Sequence, residues 1–412
     1  MIGYLGIDVA KDTFTATFLT VDEQDNPIEE TTATFPLDLT GWQSFRLSRA
    51  QSARIETFLE SWKAQPASNW VVGLEASGPY TRLLLHHLQS LPYPVHLLSP
   101  LQVRRFRQSQ SLRKTKTDPI DARALAHFLH DQHRRGELEP AGCEKALRDL
   151  VRLHEQLTRE LVRVQNQFRQ TLHFLFLELE RRTPRFSRAL RRILAAYPSA
   201  QAVAQADPQH LQTLLTQGPG AAPAFCIDEL QELARRSLGV PDPAAALHLQ
   251  HLLALWEALE EQCHQVARTL MKETRRRYPQ AWSLLLAIPG LGPLLVSCFL
   301  ALVDDPGRFA SPKALQAYAG LDPSVYQSGR FQGRSRLSKR GDPLLRKVLY
   351  LMAQSLIRYT HRFHQVFCYY RDRGRRYREA IVIVARKVLT VLYTLWTRLT
   401  PFQDTAPSAG SS

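Results

Sequence analysis

The hydrophobic period changes once along this chain, and the change limits what it can fold into. Up to residue 98 the apolar residues come in short runs rich in β-branched and aromatic side chains: IGYLGIDV (2–9), TFTATFLT (13–20), TTATFP (about 31–36), then 69–74 and 95–98. Runs of this length bounded by polar turns predict strands. Beyond Pro140 the pattern becomes heptads, with Leu147, His154, Leu161, Phe168 and Leu175 in one seam and Leu150, Leu157 and Val164 in its companion. A second run, Leu249, Leu252, Trp256, Leu259, Cys263, Val266 and Leu270, steps strictly by three and four. Two such runs predict long helices paired as an antiparallel coiled coil.

Helical spacing between the strand runs, over 41–62 and 81–91, completes an order β-β-β-α-β-α-β, that of an RNase H-like fold. A basic helix or loop follows Pro100, and Asp118-Pro119 opens another helix with Asp as N-cap and Pro at the first position. The expected fold class is therefore α/β plus α. The expected domains are 1–138, 139–280 with an irregular tip at about 197–243, 281–400, and a disordered tail at 401–412. Within the third, LAIPGLGPLL (286–295) has the form of a helix-hairpin-helix turn, whose backbone N–H groups suit a phosphate.

Of 412 residues, 53 are Lys or Arg and 38 Asp or Glu, a net charge of +15 that favours a polyanion partner. At 44% hydrophobic and 22% charged, the chain is not a disordered tail, a collagen-like fibre or a polytopic membrane protein. Its apolar stretches at 284–303 and 381–396 are interrupted by Pro289-Gly290 with Gly292-Pro293 and by Arg386-Lys387, so no membrane partner is expected. The N-terminus lacks the basic region of a signal peptide, so a cytoplasmic location is expected. Five scattered cysteines without a CxxC pair predict buried, reduced thiols.

The charge is divided. Residues 1–100 carry 6 basic and 11 acidic residues, 101–117 carry six basic and none acidic, and 306–400 carry 19 basic against 4 acidic. An acidic segment beside two basic ones predicts a metal-binding centre flanked by phosphate-binding surfaces. The candidate nucleic-acid contacts are Arg104, Arg105, Arg107, Arg113, Lys114 and Lys116 in the first basic segment, and Arg330, Arg334, Arg336, Lys339 and Arg340 in the second. RDRGRRYR (371–378) reads as a further backbone contact.

Four carboxylates stand out. Asp8 and Glu75 each end an apolar strand, where a carboxylate is costly unless a cation pairs with it. Asp118 and Asp121 lie three apart at a helix start and share a face. Brought together, four such groups can bind two Mg²⁺ ions, which clamp the attacking and leaving oxygens in phosphoryl transfer. Taken singly, Asp118 is an ordinary cap and Asp8 an ordinary turn residue.

The motifs LGIDVAKDTF, GLEASGPY, RKTKTDPIDARALA, LAIPGLGPLLVSCFLA and ALQAYAGLDPSVYQSGRFQGRSRLSKRGDPLLRKVLY, in this order, resemble the DEDD transposases of insertion-sequence family one hundred and ten. The resemblance covers nearly the whole chain. It implies a RuvC-like catalytic domain and a C-terminal transposase domain, with the metal-binding acids at Asp8, Glu75, Asp118 and Asp121. It further implies a nucleophilic serine in the QSG-type motif, here Ser328, with Ser324, Ser335 and Ser338 as neighbours that spacing alone does not exclude. Donor and target DNA, Mg²⁺, a structured noncoding (bridge) RNA of the element as guide, and a homodimer assembling to a tetramer are also what it implies. The arginines around Ser328 are suited to neutralise charge developing on a phosphorane.

Two other functions use the same residues: a Holliday-junction resolvase-like nuclease, in which the acids activate water and Ser328 is incidental, and an inactive nucleic-acid-binding scaffold. Retention of all four acids weighs against the scaffold. The histidine pairs His86-His87, His127-His130 and His361-His364 lack the further ligands zinc needs and read as surface or core residues. Trp42, Trp62, Trp256 and Trp282 read as packing residues.

Overall fold

The computed structural model describes residues 2–47, 70–76, 78–91, 93–110, 117–136, 138, 146–217, 226–324, 327–328, 331–332, 336–337 and 341–404. They form two compact units, Met1–Cys143 and Glu144–Ser412, giving a mixed α/β chain that is mainly helical.

In the first unit β1 (Ile2–Val9), β2 (Thr13–Val21) and β3 (Pro27–Pro36) form an antiparallel meander, and β4 (Trp70–Glu75) and β5 (Val95–Leu98) add in parallel on the other side of β1. The sheet order is β3-β2-β1-β4-β5. Between and after these strands run α1 (Leu39–Leu47), α2 (Pro79–Leu88), α3 (Pro100–Gln110) and α4 (Asp118–Arg134). Residues 48–69, including Trp62 and most of the helix expected at 41–62, lie outside the described residues.

Because side chains alternate along a strand, each apolar run supplies two faces. Leu5, Ile7, Val72 and Leu74 join Phe14, Phe18, Phe45, Leu84 and Leu88 in one core, while Tyr4, Leu19 and Val71 join Val103, Leu125 and Leu129 in the other. Helix α4 lies on the second face through Ala122, Leu125, Ala126 and Leu129, at the spacing of a helical stripe. It approaches β1 closely because Gly6 has no side chain: a Cβ there would sit 2.2 Å from Ala126 N and 2.6 Å from Ala122 O. The C-terminal half of α4 is tied to the β2–β3 hairpin by His127 Nε2 to Glu30 (2.9 Å), His130 Nε2 to Asp25 (2.6 Å) and Arg123 to Glu30 (2.5 Å).

In the second unit α5 (Ala146–Leu175) and α11 (Pro243–Arg277) run against each other in opposite directions, Leu147 sharing a core with Leu270 and Leu175 with Leu249. The heptad positions are buried at both ends of α5 (Leu147; Val164, Phe168, Leu175), whereas His154, Leu157 and Leu161 between them are half-exposed. The stretch 197–243, expected as a tip with small helical pieces, is described over 197–217 and 226–243. Short helices α6 (Leu177–Arg182), α7 (Arg188–Ala196), α8 (Ala200–Gln205), α9 (Pro208–Thr216) and α10 (Ile227–Arg235) add Leu179, Leu190, Val203, Leu211 and Leu230 to the core that Phe168 of α5 shares with Trp256 of α11. Ser187, Ser199 and Asp207 cap three of them.

Next, α12 (Pro279–Leu286) and α13 (Pro293–Val303) flank the expected hairpin turn, whose Gly290 carbonyl accepts a hydrogen bond from Ser355 Oγ at 2.5 Å. They pack with α14 (Pro312–Tyr318), α15 (Pro343–Tyr359), α16 (His361–Asp372) and α17 (Tyr377–Arg398) around Phe299, Leu349, Met352, Ile381 and Leu389. Helix α17 is long and apolar enough to cross a membrane by length and composition, but half of its apolar window is buried in this core.

Two expectations are corrected. The tail does not begin at 401: Phe402 stacks on Phe363 at 6.3 Å, and the Asp404 carboxylate accepts from the His361 and Arg362 N–H groups at the start of α16, so 401–404 are docked. Of the cysteines, Cys263 and Cys298 are buried but Cys226 is exposed at the start of α10, where its backbone position leaves the side chain in solvent; Cys143 lies outside the described residues.

Gly6→Ala should lower the unfolding free energy by about 1–3 kcal/mol, since α4 must lift from β1 to admit a methyl group. Gly292→Ala is the control: its Cβ would meet no atom within 4 Å, and its urea midpoint should match the parent. Equal midpoints for both variants would refute the close-approach account.

Candidate active site

Strand parity decides where Asp8 and Glu75 point. Asp8 follows Tyr4 and Gly6 on the α4 face of β1, and Glu75 follows Val71 and Gly73 on the same face of β4. The parallel register pairs Ile7 with Leu74, so the two carboxylates stand level at the carboxyl ends of adjacent strands. Helix α4 begins at this edge with Asp118 and Asp121 in its first turn, one turn before the Ala122–Ala126 contact.

The N-cap is Thr117, in extended conformation, not Asp118; Asp118 is the first helical residue and Pro119 follows. The Asp-Pro pair is thus shifted one position into the helix, and Asp118 is a first-turn acid, where the helix dipole favours negative charge.

The four acids are electrostatically coupled. Burial, then the charges of Asp121, Asp118 and Glu75, push the Asp8 carboxyl up to about 6, against one opposing hydrogen bond from the Val9 N–H. Asp121 is paired with the guanidinium of Arg107 on α3, a residue expected to hold nucleic acid. Val103 and Phe106 seat α3 on α4, with the Phe106 and Phe128 rings 5.3 Å apart, while Arg104 and Arg105 face solvent. Arg113, Lys114 and Lys116 lie outside the described residues.

An all-carboxylate donor set suits a hard cation such as Mg²⁺ and not zinc. Among the described residues no three His, Cys, Asp or Glu groups are disposed to hold a metal ion outright, and Arg107 occupies Asp121. The histidine pairs take their ordinary reading: His127 and His130 each pair with a separate carboxylate, and His86, His87, His361 and His364 are exposed.

The proposed serine segment lies in the second unit. Gln327–Ser328 (β7) pairs with Phe331–Gln332 (β8), and Pro323–Ser324 (β6) pairs with Arg336–Leu337 (β9), so Ser328 sits in the inner rung of a narrow hairpin and Ser324 and Arg336 in the outer one. Ser335, Ser338, Arg330, Arg334, Lys339 and Arg340 lie outside the described residues.

The feet of this hairpin are clamped. Asp342 N donates to Tyr318 O at 2.8 Å, and a Cβ at Gly341 would lie 2.1 Å from that oxygen, so only glycine lets the strands close there. The Asp342 carboxylate accepts from the N–H groups of Leu344 and Leu345, capping α15, and also receives the Arg148 guanidinium, which reaches the Tyr318 hydroxyl at 2.6 Å. Arg346 donates to Ala319 O at 3.0 Å. Arg148, Tyr318 and Asp342 were missed by sequence reasoning; Gly341-Asp342-Pro343 was the available signal, an N-cap followed by Pro.

The raised Asp8 carboxyl makes stability depend on pH. Its folded value lies above the ordinary 3.8, so its contribution is full below about pH 4 and is lost as pH rises through about 6. In chelator, the melting temperature of the parent should fall relative to Asp8→Asn across that window, leaving the variant a few degrees the more stable at neutral pH. Parallel curves would count against the acid cluster.

The chain matches two family models, that of the DEDD IS110 elements, described as Transposase, over residues 5–177, and Transposase IS116/IS110/IS902 family over residues 282–368. It is 32% identical over 268 residues to the mini-circle putative transposase for IS117 of Streptomyces coelicolor, covering 61% of this chain and 64%, under two thirds, of that protein. It is 23% identical over 404 residues to the pilin gene-inverting protein of Moraxella lacunata, covering 97% of each. The transposase for insertion sequence element IS1328 of Yersinia enterocolitica is 27% identical over 267 residues, 65% of each chain. Both matched regions are those of IS110-family transposase models, and this chain belongs to that family.

Proposed function

We propose that this transposase is an RNA-guided, Mg²⁺-dependent site-specific recombinase that joins Ser328 covalently to DNA. The observation that carries this reading is the convergence of Asp8, Glu75, Asp118 and Asp121 at one edge of the sheet, where burial and then the charges of the other three raise the Asp8 carboxyl. Its sheet order and the β-β-β-α-β-α-β sequence support an RNase H-like, RuvC-like unit, and the packed pair α5 and α11 is read as its antiparallel coiled coil.

In this reading Asp8, Glu75, Asp118 and Asp121 hold the metal. When bound, Mg²⁺ acidifies a hydroxyl and neutralises charge on the phosphoryl oxygens. Ser328 Oγ attacks the phosphodiester, the Oγ–P bond forms, and the P–O3′ bond breaks; the serine proton ends on the departing 3′ oxygen. A 3′-hydroxyl from the exchanged strand then attacks the 5′-phosphoserine and restores the serine, so phosphodiester bonds are conserved without an outside energy source. Arg330, Arg334, Arg336, Lys339 and Arg340 neutralise the phosphorane, and Arg104, Arg105, Arg113, Lys114 and Lys116 hold backbone phosphates, while Arg107 stays on Asp121. The bridge RNA selects donor and target DNA, and the working assembly is a homodimer that forms a tetramer.

The test is a denaturation-resistant adduct between protein and labelled DNA, formed with Mg²⁺ and co-purified RNA. Ser328→Ala should abolish the adduct and reduce strand exchange at least about a thousandfold, the scale for loss of a nucleophile. Asp8→Ala should abolish both cleavage and adduct while leaving DNA binding intact. Cleavage without any adduct, undiminished in Ser328→Ala, would favour the metal-activated-water nuclease instead.

A further inference from the structure

Among the described residues, many exposed arginines come with a carboxylate. Arg152 pairs with Asp149, Arg159 with Glu155, Arg163 with Glu160, Arg135 with Asp131, Arg236 with Glu232 and Arg276 with Glu273. The turn between α16 and α17 breaks this habit. Arg371, Arg373, Arg375, Arg376 and Arg378 fall within eight residues, all exposed, and among the described residues none forms an ion pair. Asp372 and Glu379 are the two acids of this stretch.

Five unscreened guanidiniums on one turn repel each other, yet the turn is built to keep them there. Gly374 takes a left-handed conformation (φ 77°) and its N–H donates to Arg371 O at 2.9 Å; Arg375 N donates to Tyr370 O at 3.1 Å, and Arg371 Nη1 donates to Arg375 O at 2.7 Å. Arg373 lies over the Tyr369 ring at 3.7 Å, and Tyr377 packs edge-on to Phe367 at 5.5 Å. Below the turn, Phe363, Ala380 and Ile381 are buried in the core of the unit, so the arginines stand on a fixed base. A solvated charge run on a frayed helix end needs none of this.

We propose that the α16–α17 turn is a DNA docking surface, outside the acid cluster and the serine hairpin, that binds the phosphate backbone of duplex DNA without reading sequence. The duplex is the occupant because five exposed arginines stand against only Asp372 and Glu379, on a turn fixed by its own hydrogen bonds, in a chain of a transposase family. Arg375, Arg376 and Arg378 make the phosphate contacts, since Arg371 is engaged with the Arg375 carbonyl and Arg373 with Tyr369.

The test is the salt dependence of binding to a duplex of arbitrary sequence, measured with the full-length protein. Each lost phosphate contact lowers the slope of log affinity against log salt by about 0.9, so the triple variant Arg375→Ala, Arg376→Ala, Arg378→Ala should flatten it by about 2–3. The triple lysine variant should keep the parent slope, and the melting temperatures of all three proteins should agree. Adduct formation at low salt should survive in the alanine variant, which separates this surface from the serine chemistry. An unchanged slope in the folded alanine variant would overturn the proposal, as would loss of binding confined to co-purified RNA. If the alanine variant melts early, the charge-reversing pair Arg375→Glu, Arg376→Glu replaces it, and an unchanged slope there overturns the proposal equally.

Discussion

The contact that the acid cluster depends on is the approach of helix α4 to strand β1 across Gly6. With hydrogen in place of a side chain, the helix backbone at Ala122 and Ala126 reaches the strand directly. The first turn of the same helix is thereby lowered to the edge of the sheet where β1 and β4 end. Asp118 and Asp121 then face Asp8 and Glu75, and four like charges share one region. Burial and then the neighbouring acids hold the Asp8 carboxyl high, whereas Asp121 has the Arg107 guanidinium beside it. The histidine and arginine pairs between α4 and the β2–β3 hairpin hold the other end of the helix, so the acids cannot relax apart by tilting it.

The second unit applies a comparable device to a different end. A narrow hairpin carrying Ser328 leaves α14 and returns to α15, and its feet are fixed by backbone contact at Gly341 and by Asp342, which serves both as helix cap and as partner of Arg148. Losing the Asp342 carboxylate would remove the cap and leave a half-buried guanidinium without its partner. The footing of the hairpin thus rests on residues of α5, α14 and α15. The same helices carry the core around Leu349 and Met352.

The net charge of +15 divides by pairing as well as by position. On α5, α10 and α11 arginines are matched with acids three, four or seven residues away, and these pairs solubilise the helices while adding little to stability. Arg104 and Arg105 face solvent, while Arg107, a neighbour in sequence, is turned onto Asp121. At the α16–α17 turn the arginines have no acidic partner among the described residues. Composition counts all of these alike, and only their neighbours distinguish them.

What the sequence determined by itself was whatever depends on local period. Alternation in IGYLGIDV and WVVGLE gives strands and places Asp8 and Glu75 on definite faces, three-and-four spacing gives α5 and α11, and Asp-Pro marks the start of α4. It also contained the motifs by which the family was recognised. Locally ambiguous signals were misjudged: Asp118 for the cap in place of Thr117, and Phe402 and Asp404 for tail. Only the tertiary structure decided that Asp8 and Glu75 stand level, that Arg107 belongs to Asp121, that Arg148 anchors the serine hairpin through Asp342, and which arginines go unpaired. Each of these is a distance between groups from about fourteen to nearly two hundred residues apart in the chain. Period sets which way a side chain faces, whereas what it meets is set by the packing of elements that are remote in sequence.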